Sequence, residues 1–399
     1  MGVERAGIHR GRTDEYFHRI ISAMKTFLMV GYGRLGAAVL DQLAPRFPDW
    51  RFVVVSRNKV AAELRLNLSR YVWSQWGIYP HVAYHSVNLH DTERMANLIT
   101  ECHADLVFNA TTPFPWWRID EIPPALAKVA SDAGPGMWAA ADIVLPQLLA
   151  QALALAGSKA SFINACYPDM TNTFLSGTDG APLLGIGNIS NIIPGMRLAY
   201  AAEWRVEPQS VVVKCVGHHS TSLNGPSTDD ETPAPYFLEV ASGERQLLIE
   251  GPSPGPFQVL RRHALRQRGV EGQAVTVGSA STVLAALMGS TGGSFHAPGA
   301  LGLPGGYPVT IDELGRVELD LPSTVSKEQA VSVMVRAQRF DGTQYVESGV
   351  VEPTEKSLAA QEQILGFVTE RVTTENVADY AANTVSELNR RYGLELEAL

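Results

Sequence analysis

The chain has 399 residues, 45% of them hydrophobic and 18% charged, and its formal net charge is −9 at pH 7. This composition predicts a globular protein with room for two cores, and an acidic balance without a basic run argues against a nucleic-acid partner. No apolar run reaches the roughly 18–20 residues of a membrane span, so no membrane partner is expected.

The first 23 residues, MGVERAGIHRGRTDEYFHRIISA, are polar and mixed in charge. They lack the apolar centre of a signal peptide, and we expect residues 1–23 to form a flexible extension. The three cysteines, Cys102, Cys166 and Cys215, are widely spaced and odd in number. That pattern fits a reducing cytoplasm and offers no disulfide framework, so a cytoplasmic location is predicted.

A glycine-rich turn follows the first apolar run. TFLMV predicts a buried strand, GYGRLG a turn, and AAVLDQLA a helix. This strand–turn–helix context is typical of a dinucleotide-binding fingerprint, in which the glycines permit a tight turn, close approach of a pyrophosphate and close helix packing. The predicted cofactor-binding residues of the turn are Gly31, Tyr32, Gly33, Arg34, Leu35 and Gly36.

The end of the second predicted strand, RFVVVSRN, bears on the choice of cofactor. NAD enzymes usually place a carboxylate here, but this chain has Ser56, Arg57 and Asn58. A hydroxyl and a guanidinium bind a 2′-phosphate, which a carboxylate repels. We therefore predict NADP, with NAD as the alternative. If no 2′-phosphate binds there, Arg57 is a solvated loop charge.

Further strands alternate with helices up to about residue 165, which predicts an α/β fold with an N-terminal Rossmann doubly wound parallel sheet. The strand ADLVFN ends at Asn109, so Asn109, Ala110 and Thr111 are expected beside the cofactor. The strand ASFINAC carries Asn164, which either bridges the nicotinamide ribose and the substrate or forms an Asx turn. Residues 24–165 are thus predicted to be the NAD(P)-binding domain.

Residues 166–399 are predicted to form a C-terminal α+β domain for substrate binding and oligomerisation. SVVVKCVGHHSTS predicts a strand, and the segment 224–256 looks like an insertion with one strand pair, lying over the site or at an oligomer contact. LAAQEQILGFVTERV and ENVADYAANTVSELNRRYGLELEAL predict amphipathic helices that complete the core or a dimer interface. We expect a homodimer or a higher homo-oligomer.

In order and spacing, the chain resembles the lactate/malate dehydrogenase superfamily, which includes the NAD-dependent family 4 glycosidases. The resemblance spans roughly residues 25–335 and rests on the first turn, on Asn164 with Pro168, on VGHHSTS, and on the hairpin GGYPVTIDELGRVELDL. The Rossmann half, particularly ADLVFNATTPF, is also similar to saccharopine dehydrogenases.

The resemblance implies that His219 is the catalytic general acid/base. The carboxylate that pairs with such a histidine would be replaced by Asn191, which could orient an imidazole without stabilising its charge. Pro194 stands where the family has its substrate-carboxylate arginine, and Arg197 is nearby but out of register. His218 should point to the opposite side if the strand continues, or exchange roles with His219 if the register differs by one.

Arg118 follows PFPWW, where related dehydrogenases have a mobile loop with a substrate-binding arginine, and Trp117 could stack on a substrate larger than lactate. The predicted function is an NADP-dependent oxidoreductase that moves a hydride between the nicotinamide and a carbinol or ketone of a mid-sized polar small-molecule substrate. The alternatives are a family 4 glycosidase-like enzyme with a transiently reduced bound dinucleotide, or a non-catalytic nucleotide-binding protein. No metal site is predicted, because Gly187 and Asn188 stand where the glycosidases have metal ligands.

Overall fold

The computed structural model describes residues 24–224, 234–267 and 269–399. The predicted extension at residues 1–23 and part of the predicted insertion lie outside the described residues.

The strands are numbered in chain order. They are β1 Lys25–Val30, β2 Trp50–Ser56, β3 His81–Ser86, β4 Ala104–Asn109, β5 Ser161–Asn164, β6 Leu184–Gly185, β7 Val212–Val216, β8 Phe237–Ser242, β9 Arg245–Glu250, β10 Gly293–Pro298, β11 Gly306–Ile311, β12 Val317–Leu319, β13 Thr343–Glu347, β14 Val350–Pro353 and β15 Val372–Thr373.

The α-helices are numbered in the same way. They are α1 Arg34–Leu43, α2 Lys59–Gln75, α3 Thr92–Cys102, α4 Pro124–Ala133, α5 Val144–Leu155, α6 Pro168–Phe174, α7 Ile193–Trp204, α8 His219–Asn224, α9 Gly255–Ala264, α10 Gln273–Leu287, α11 Lys327–Ala337, α12 Glu355–Ile364 and α13 Val377–Tyr392. Short 3₁₀ helices at Trp116–Glu121, Ala139–Ile143, Asn188–Asn191 and Gln338–Asp341 matter for the site.

The central sheet has six parallel strands in the order β3-β2-β1-β4-β5-β6. The order reverses direction between β1 and β4, where a doubly wound sheet opens a ligand crevice at the carboxyl ends of its strands. The predicted Rossmann-type α/β sheet is confirmed. Its sixth strand lies beyond residue 165, so the sheet continues past the predicted domain boundary.

The sheet is buried on both faces because its strands are apolar throughout. In β1, Phe27 and Met29 join one core cluster, whereas Leu28 and Val30 join another. Successive side chains of a strand point to opposite faces, so a continuous apolar run fills two cores at once. The first cluster also takes residues from β10, β11 and α11, which ties the C-terminal half to the sheet.

Three small antiparallel sheets belong to the C-terminal half. Their strand orders are β7-β8-β9, β10-β11-β12 and β13-β14-β15. The strand pair expected within the insertion is the β8–β9 hairpin, which extends β7 rather than standing alone. The predicted late hairpin is β11–β12.

Helix α13 completes the core, one of the two roles expected for it. It buries Val377, Tyr380 and Ala381 against the sheet and Val385 with Leu388 in a separate cluster. Among the described residues, the structure contains no helix both long and apolar enough to span a membrane.

Candidate active site

The turn after β1 requires glycine at its first position for two reasons. Gly31 has φ +96°, and a Cβ added there would lie 2.7 Å from the carbonyl carbon of Ala110. The left-handed conformation and the close approach of the chain after β4 each exclude a side chain. The turn is held by hydrogen bonds from Gly31 N to Val55 O (2.9 Å) and from Ala110 N to Val30 O (2.7 Å). Ala110 and Thr111 therefore lie directly beside the glycine turn, as expected.

The N-terminus of α1 is open. Its N-cap residue is Gly33, no side chain caps it, and its first turn has no acidic residue. A Cβ on Gly33 would meet nothing within 4 Å, whereas one on Gly36 would lie 2.2 Å from Gly31 O. Thus Gly36 allows the helix to pack on the turn, and Gly33 borders free space before unpaired N–H groups. Such a terminus binds phosphate through backbone N–H groups and the helix dipole.

The other side chains of the turn do not face this space. The Tyr32 ring is buried, with its hydroxyl 3.5 Å from Ser69 Oγ, and Leu35 packs against the first core cluster. Arg34 is exposed and lies 3.5 Å from Glu271. Tyr32 and Leu35 can therefore contact a cofactor only through their backbone.

The end of β2 is followed by one half-exposed, ion-paired cation and carries two structural side chains. Asn58 caps α2 by accepting a hydrogen bond from Ala61 N (3.0 Å), and Ser56 Oγ lies 3.3 Å from the Tyr84 hydroxyl. The half-exposed Arg57 forms an ion pair with Glu397, near the C-terminal end of the described chain. Arg57 is thus the residue of this group that could hold a 2′-phosphate.

Asn109 and Asn164 end the neighbouring strands β4 and β5 and are fully buried. Asn164 Nδ2 donates to Cys166 O and to Asn172 Oδ1, while Asn164 Oδ1 accepts from Asn109 Nδ2 and from Cys166 N, all at 3.0 Å. These four bonds use both donors and both lone pairs of the amide. The bond from Cys166 N forms the Asx turn, one of the two roles predicted for Asn164. The other predicted role, in which the Asn164 side chain bridges cofactor and substrate, is wrong for this conformation.

Asn109 has a similar structural role. Its Oδ1 accepts from the Thr111 backbone N (3.2 Å) and hydroxyl (2.6 Å), which fixes the first residues of the loop after β4. The paired asparagines therefore hold the loops on either side of the crevice rather than reaching into it.

The centre of the site is the cluster around Asp341. This carboxylate is 1% exposed and lies at the end of the 3₁₀ helix that follows α11. His219 Nδ1 lies 3.2 and 3.1 Å from its two oxygens, Tyr167 Oη donates to Oδ2 (3.0 Å), and Ser220 N donates to Oδ2 (3.2 Å). A buried carboxylate with this many donors is well satisfied as an anion.

Electrostatics bias the cluster toward a protonated imidazole. Burial lowers the pKa of His219, but the Asp341 carboxylate outweighs that effect and the pKa is raised above its usual 6.5. Burial acts to raise the pKa of Asp341, yet the charges of His219 and His218 hold it well below its usual value. Burial, together with the charges of Asp341 and Asp169, raises the pKa of Tyr167 well above 10, so Tyr167 stays a donor.

His219 is positioned from three directions. Its backbone N donates to Asp169 Oδ1 (2.9 Å), and its ring meets the edge of Tyr167 with ring centroids 5.5 Å apart. Tyr167 has φ 39° and ψ 58°, a left-handed conformation that costs a non-glycine residue roughly 1–2 kcal/mol. The side chain of His219 is 21% exposed, so one side of the ring remains accessible.

The predicted orientation of His218 is wrong. Alternation would send it away from His219, but β7 ends at Val216 and the chain turns into α8 at His219. His218 Nδ1 consequently lies 2.8 Å from the same Asp341 oxygen, although the carboxylate is not aligned with the N–H direction for a hydrogen bond. His218 is 2% exposed, so it is a buried neighbour of the carboxylate rather than a second accessible base.

The prediction that Asn191 orients His219 is also wrong. Asn191 Nδ2 donates to Thr276 Oγ1 (3.0 Å), and Asp341 is the partner of the histidine instead. Arg197 is exposed on α7, where its charge acts with burial to lower the pKa of His296 to about 3. His296 accepts a hydrogen bond from Cys215 N (3.0 Å) and is structural. Nothing in these contacts brings Arg197 to His219.

The loop after β4 carries Trp117 and Arg118 on a 3₁₀ helix. Arg118 Nε lies 2.7 Å from Glu121 Oε1, and its Nη2 donates to the Leu394 carbonyl. Trp117 packs edge-on against the exposed Trp116, with centroids 5.8 Å apart. In this conformation the arginine fastens the loop to the C-terminal segment, and a contact with substrate remains a prediction.

A second polar cluster joins the loops after β4 and β5. Asp142 Oδ1 accepts from the Thr112 hydroxyl (3.0 Å) and lies 3.4 Å from Cys166 Sγ. Burial raises the pKa of Asp142 to about 6, against hydrogen bonds that lower it. Burial and the nearby Asp142 raise the pKa of the Cys166 thiol well above 9, so this thiol is not activated.

A metal centre is not formed by these side chains. Within residues 24–224, 234–267 and 269–399, no group of three or more His, Cys, Asp or Glu side chains is arranged to hold a metal ion. Cys166 contacts Asp142 and His219 contacts Asp341, so this thiol and this imidazole have different partners.

Sequence reasoning missed Asp341, Tyr167, Asp169 and Asp142. The acidic residues are single carboxylates in segments without a motif, and their roles depend on contacts across the fold. Tyr167 and Asp169 stand within CYPDM, directly after the Asn164 that drew attention to this strand. A polar or aromatic residue just after a central parallel strand is the one signal that could have suggested them.

No protein-family model matches the chain, and no curated protein matches it. Solved structures do match. The malate dehydrogenase of Picrophilus torridus in its apo form is 13% identical, with 80% of this chain and 97% of that chain covered and a TM-score of 0.51. The lactate dehydrogenase of Cryptosporidium parvum, solved with lactic acid and β-nicotinamide adenine dinucleotide, is 12% identical, with 80% and 97% covered and a TM-score of 0.50. The chain has the lactate/malate dehydrogenase fold.

The predicted resemblance is therefore confirmed at the level of the fold. At this level of identity, the lactate/malate dehydrogenase fold locates a ligand crevice. The chemistry of this protein must be argued from the residues in that crevice.

Proposed function

We propose that the protein is a nicotinamide-dinucleotide-dependent oxidoreductase in which His219 is the general acid/base. The observation that carries this proposal is the accessible His219 ring held by the buried Asp341 carboxylate, at the carboxyl edge of the sheet. The proposed phosphate-binding turn follows β1, and the proposed proton donor touches Tyr167, which follows β5 of the same parallel sheet.

The residues of the glycine turn fit a dinucleotide. The open N-terminus of α1 and the free space at Gly33 suit a pyrophosphate, and no carboxylate in the first turn opposes it. Backbone N–H groups of residues 33–36 would hold the phosphates, while Ala110 and Thr111 would line the crevice. When bound, the nicotinamide supplies or accepts the hydride.

His219 would supply the matching proton. Reduction of a carbonyl leaves an alkoxide, which needs a donor with a pKa near neutrality within hydrogen-bond reach. With Nδ1 directed at Asp341, Nε2 is the ring nitrogen left for substrate, and Asp341 stabilises the protonated ring. In the oxidative direction the neutral ring would accept the proton.

The substrate class and the cofactor preference are finer parts of the proposal. The missing arginine at Pro194 and the tethered Arg118 speak against a small 2-keto acid, so we favour a carbinol or ketone of a mid-sized polar metabolite. The end of β2 has no carboxylate, and the Arg57 cation that follows it favours NADP over NAD. The lactate dehydrogenase named above is described with NAD, so this preference needs its own test.

The test combines binding and turnover. The purified chain is titrated with NADPH and with NADH, and a panel of ketones and secondary alcohols is then screened for change in nicotinamide absorbance. His219→Ala should lower turnover roughly 10²–10⁴-fold while dinucleotide affinity stays within about twofold. Arg316→Ala, at an exposed arginine paired with Asp312 at the tip of the β11–β12 hairpin, serves as the control. Absence of dinucleotide binding, or full turnover by His219→Ala, would disprove the assignment.

A further inference from the structure

Residues 394–399, which follow α13, alternate between buried and exposed side chains. Leu394 and Leu396 are 3% and 7% exposed, and both join a core cluster that the loop after β4 helps to form. Glu395 and Glu397 are exposed. The segment therefore lies on the protein surface with its leucines inward and its carboxylates outward, and we name it the strap.

The first half of the strap is firmly fixed. The Asn389 side chain on α13 pairs with the backbone of Leu396 in both directions, because Nδ2 donates to the carbonyl (2.8 Å) and Oδ1 accepts from the N–H (2.7 Å). Arg118 Nη2 donates to the Leu394 carbonyl. Detaching these residues would expose apolar surface and leave polar groups unpaired. Residues 394–396 are therefore the fixed base of the strap.

The second half of the strap is held by an exposed ion pair. Arg57 pairs with Glu397, and their side chains are 49% and 73% exposed. Such a pair contributes little to stability, because solvent screens the two charges. Leu399 is half-buried at the margin of two core clusters. Residues 397–399 can thus detach at small cost while the base stays in place.

The strap connects the two sides of the cofactor crevice. In the parallel strand order β2-β1-β4, the loops after β2 and β4 lie on either side of the glycine turn after β1. The strap is tied to the first side through Arg57 and to the second through Arg118. The end of β2 is where a Rossmann sheet meets the adenosine ribose of a dinucleotide. No atom lies within 4 Å of a Cβ built on Gly33, so the strap leaves the pyrophosphate position clear.

We propose that residues 397–399 are a latch over the adenosine side of the crevice, which the 2′-phosphate of a dinucleotide opens by replacing the Glu397 carboxylate at Arg57. This latch rests on the proposed function, because it takes Arg57 as the residue that binds the 2′-phosphate. Carboxylate and phosphate bind a guanidinium in the same bidentate way, and the phosphate carries more negative charge. Glu397 therefore holds the phosphate position in the free protein and yields it to the stronger anion. A dinucleotide without the 2′-phosphate leaves the ion pair in place.

A fluorophore on the latch tests the proposal. The native cysteines Cys102, Cys166 and Cys215 are buried, so Ala398→Cys gives the full-length chain one exposed thiol for labelling. The anisotropy of the label should fall when NADPH or adenosine 2′,5′-bisphosphate saturates the protein, because the latch is then released. Saturation with NADH or 5′-AMP should leave the anisotropy unchanged.

Three variants identify what the label reports. Glu397→Gln removes the ion pair, so the label at position 398 should be mobile without nucleotide and should not respond to adenosine 2′,5′-bisphosphate. Glu395→Gln makes the same chemical change on the fixed base and should respond like the parent labelled chain. A label on Lys128→Cys, at an exposed position of α4, should keep the same anisotropy with and without nucleotide.

The outcomes separate the latch from the proposed function. If NADPH binds in preference to NADH but the label at position 398 does not respond, the latch is overturned and the proposed function stands. An equal response to 5′-AMP and adenosine 2′,5′-bisphosphate would also overturn the latch, because its opening would then not depend on the 2′-phosphate. If neither NADPH nor NADH binds, the proposed function fails and the latch fails with it.

Discussion

His219 Nδ1 lies 3.1 Å from Oδ2 of Asp341, a residue 122 positions later in the chain. The carboxylate joins Tyr167 after β5 and His219 after β7 to the 3₁₀ helix that follows α11, so the surroundings of His219 depend on contacts across the whole fold. Because the carboxylate is buried and the imidazole is partly exposed, the charge of Asp341 acts on His219 with little screening.

Asp341→Asn should shift the pH profile of turnover. If His219 is the proton donor proposed above, carbonyl reduction by the wild type needs its protonated ring and should be lost as the pH rises through a pKa raised above 6.5. Without the carboxylate charge, burial still lowers this pKa and only Asp169 raises it, so the reduction limb should move to lower pH. At pH 7.5 we expect turnover to fall on the order of 100-fold, measured as kcat against pH in both directions.

Tyr167→Phe is the matched control for that shift. It removes one hydrogen bond to Asp341 but keeps the ring edge against His219 and the charge of the carboxylate. Its pH limb should move less than that of Asp341→Asn. An unchanged pH profile in Asp341→Asn would mean that His219 is not the titrating group.

Cofactor preference should depend on Arg57. Arg57→Ala removes the cation beside a 2′-phosphate and should weaken NADPH binding about tenfold or more, with little change for NADH. Titration of both nucleotides measures the ratio, and Arg336→Ala on α11 is a control arginine outside the crevice. Equal losses of affinity for NADPH and NADH would show that Arg57 does not bind the 2′-phosphate.

Glu397 should act in the opposite direction. It pairs with Arg57, and an exposed ion pair contributes at most about 1 kcal/mol. Glu397→Gln should therefore tighten NADPH binding by no more than roughly fivefold and leave NADH unchanged. If NADPH binding responds to Arg57→Ala but not to Glu397→Gln, breaking the Arg57–Glu397 ion pair does not lower the free energy gained on NADPH binding.

The parts of the site near one another in sequence were predictable. The glycine turn and the strand ends at Asn109 and Asn164 follow from local patterns, because strand alternation and glycine spacing act over a few residues. The interest in His219 came from the resemblance to the dehydrogenase family. The parallel sheet followed from the regular exchange of strands and helices. By contrast, Asp341 gained its role only through contacts between distant segments.

The errors have similar physical causes. His218 was placed by extending strand alternation two residues past Val216, where β7 ends. Asn191 was predicted as the partner of His219 because the resembling family has its carboxylate at that position. In this chain the carboxylate comes from the segment after α11. For Asn164 the local sequence left two roles open, and its hydrogen bonds to Cys166, Asn172 and Asn109 select the Asx turn.

The glycine turn offers a prediction on stability and binding together. Gly36→Ala puts a Cβ 2.2 Å from Gly31 O, so we expect destabilisation of roughly 1–3 kcal/mol, as for overpacking. Gly33→Ala meets no protein atom within 4 Å, so it should unfold near the wild-type temperature but bind dinucleotide more weakly. Thermal unfolding without nucleotide and a binding titration distinguish the two, and wild-type affinity in Gly33→Ala would place the phosphates elsewhere.

Asp142 should make stability fall as the pH rises. Its pKa is raised by burial from 3.8 to about 6, so the folded state binds the proton more tightly than the unfolded state. The free energy of unfolding should therefore decrease between about pH 4 and pH 6, by at most roughly 3 kcal/mol.

Asp142→Asn keeps an oxygen that accepts from Thr112 and Cys166 but has no charge. It should be more stable than the wild type at pH 7.5 and nearly equal to it at pH 3.5, in chemical unfolding at both pH values. Asp132→Asn, in an exposed pair with Lys128, should show no such gain. A gain of the same size at both pH values would point to packing rather than to the charge, since only the ionised form of Asp142 opposes folding.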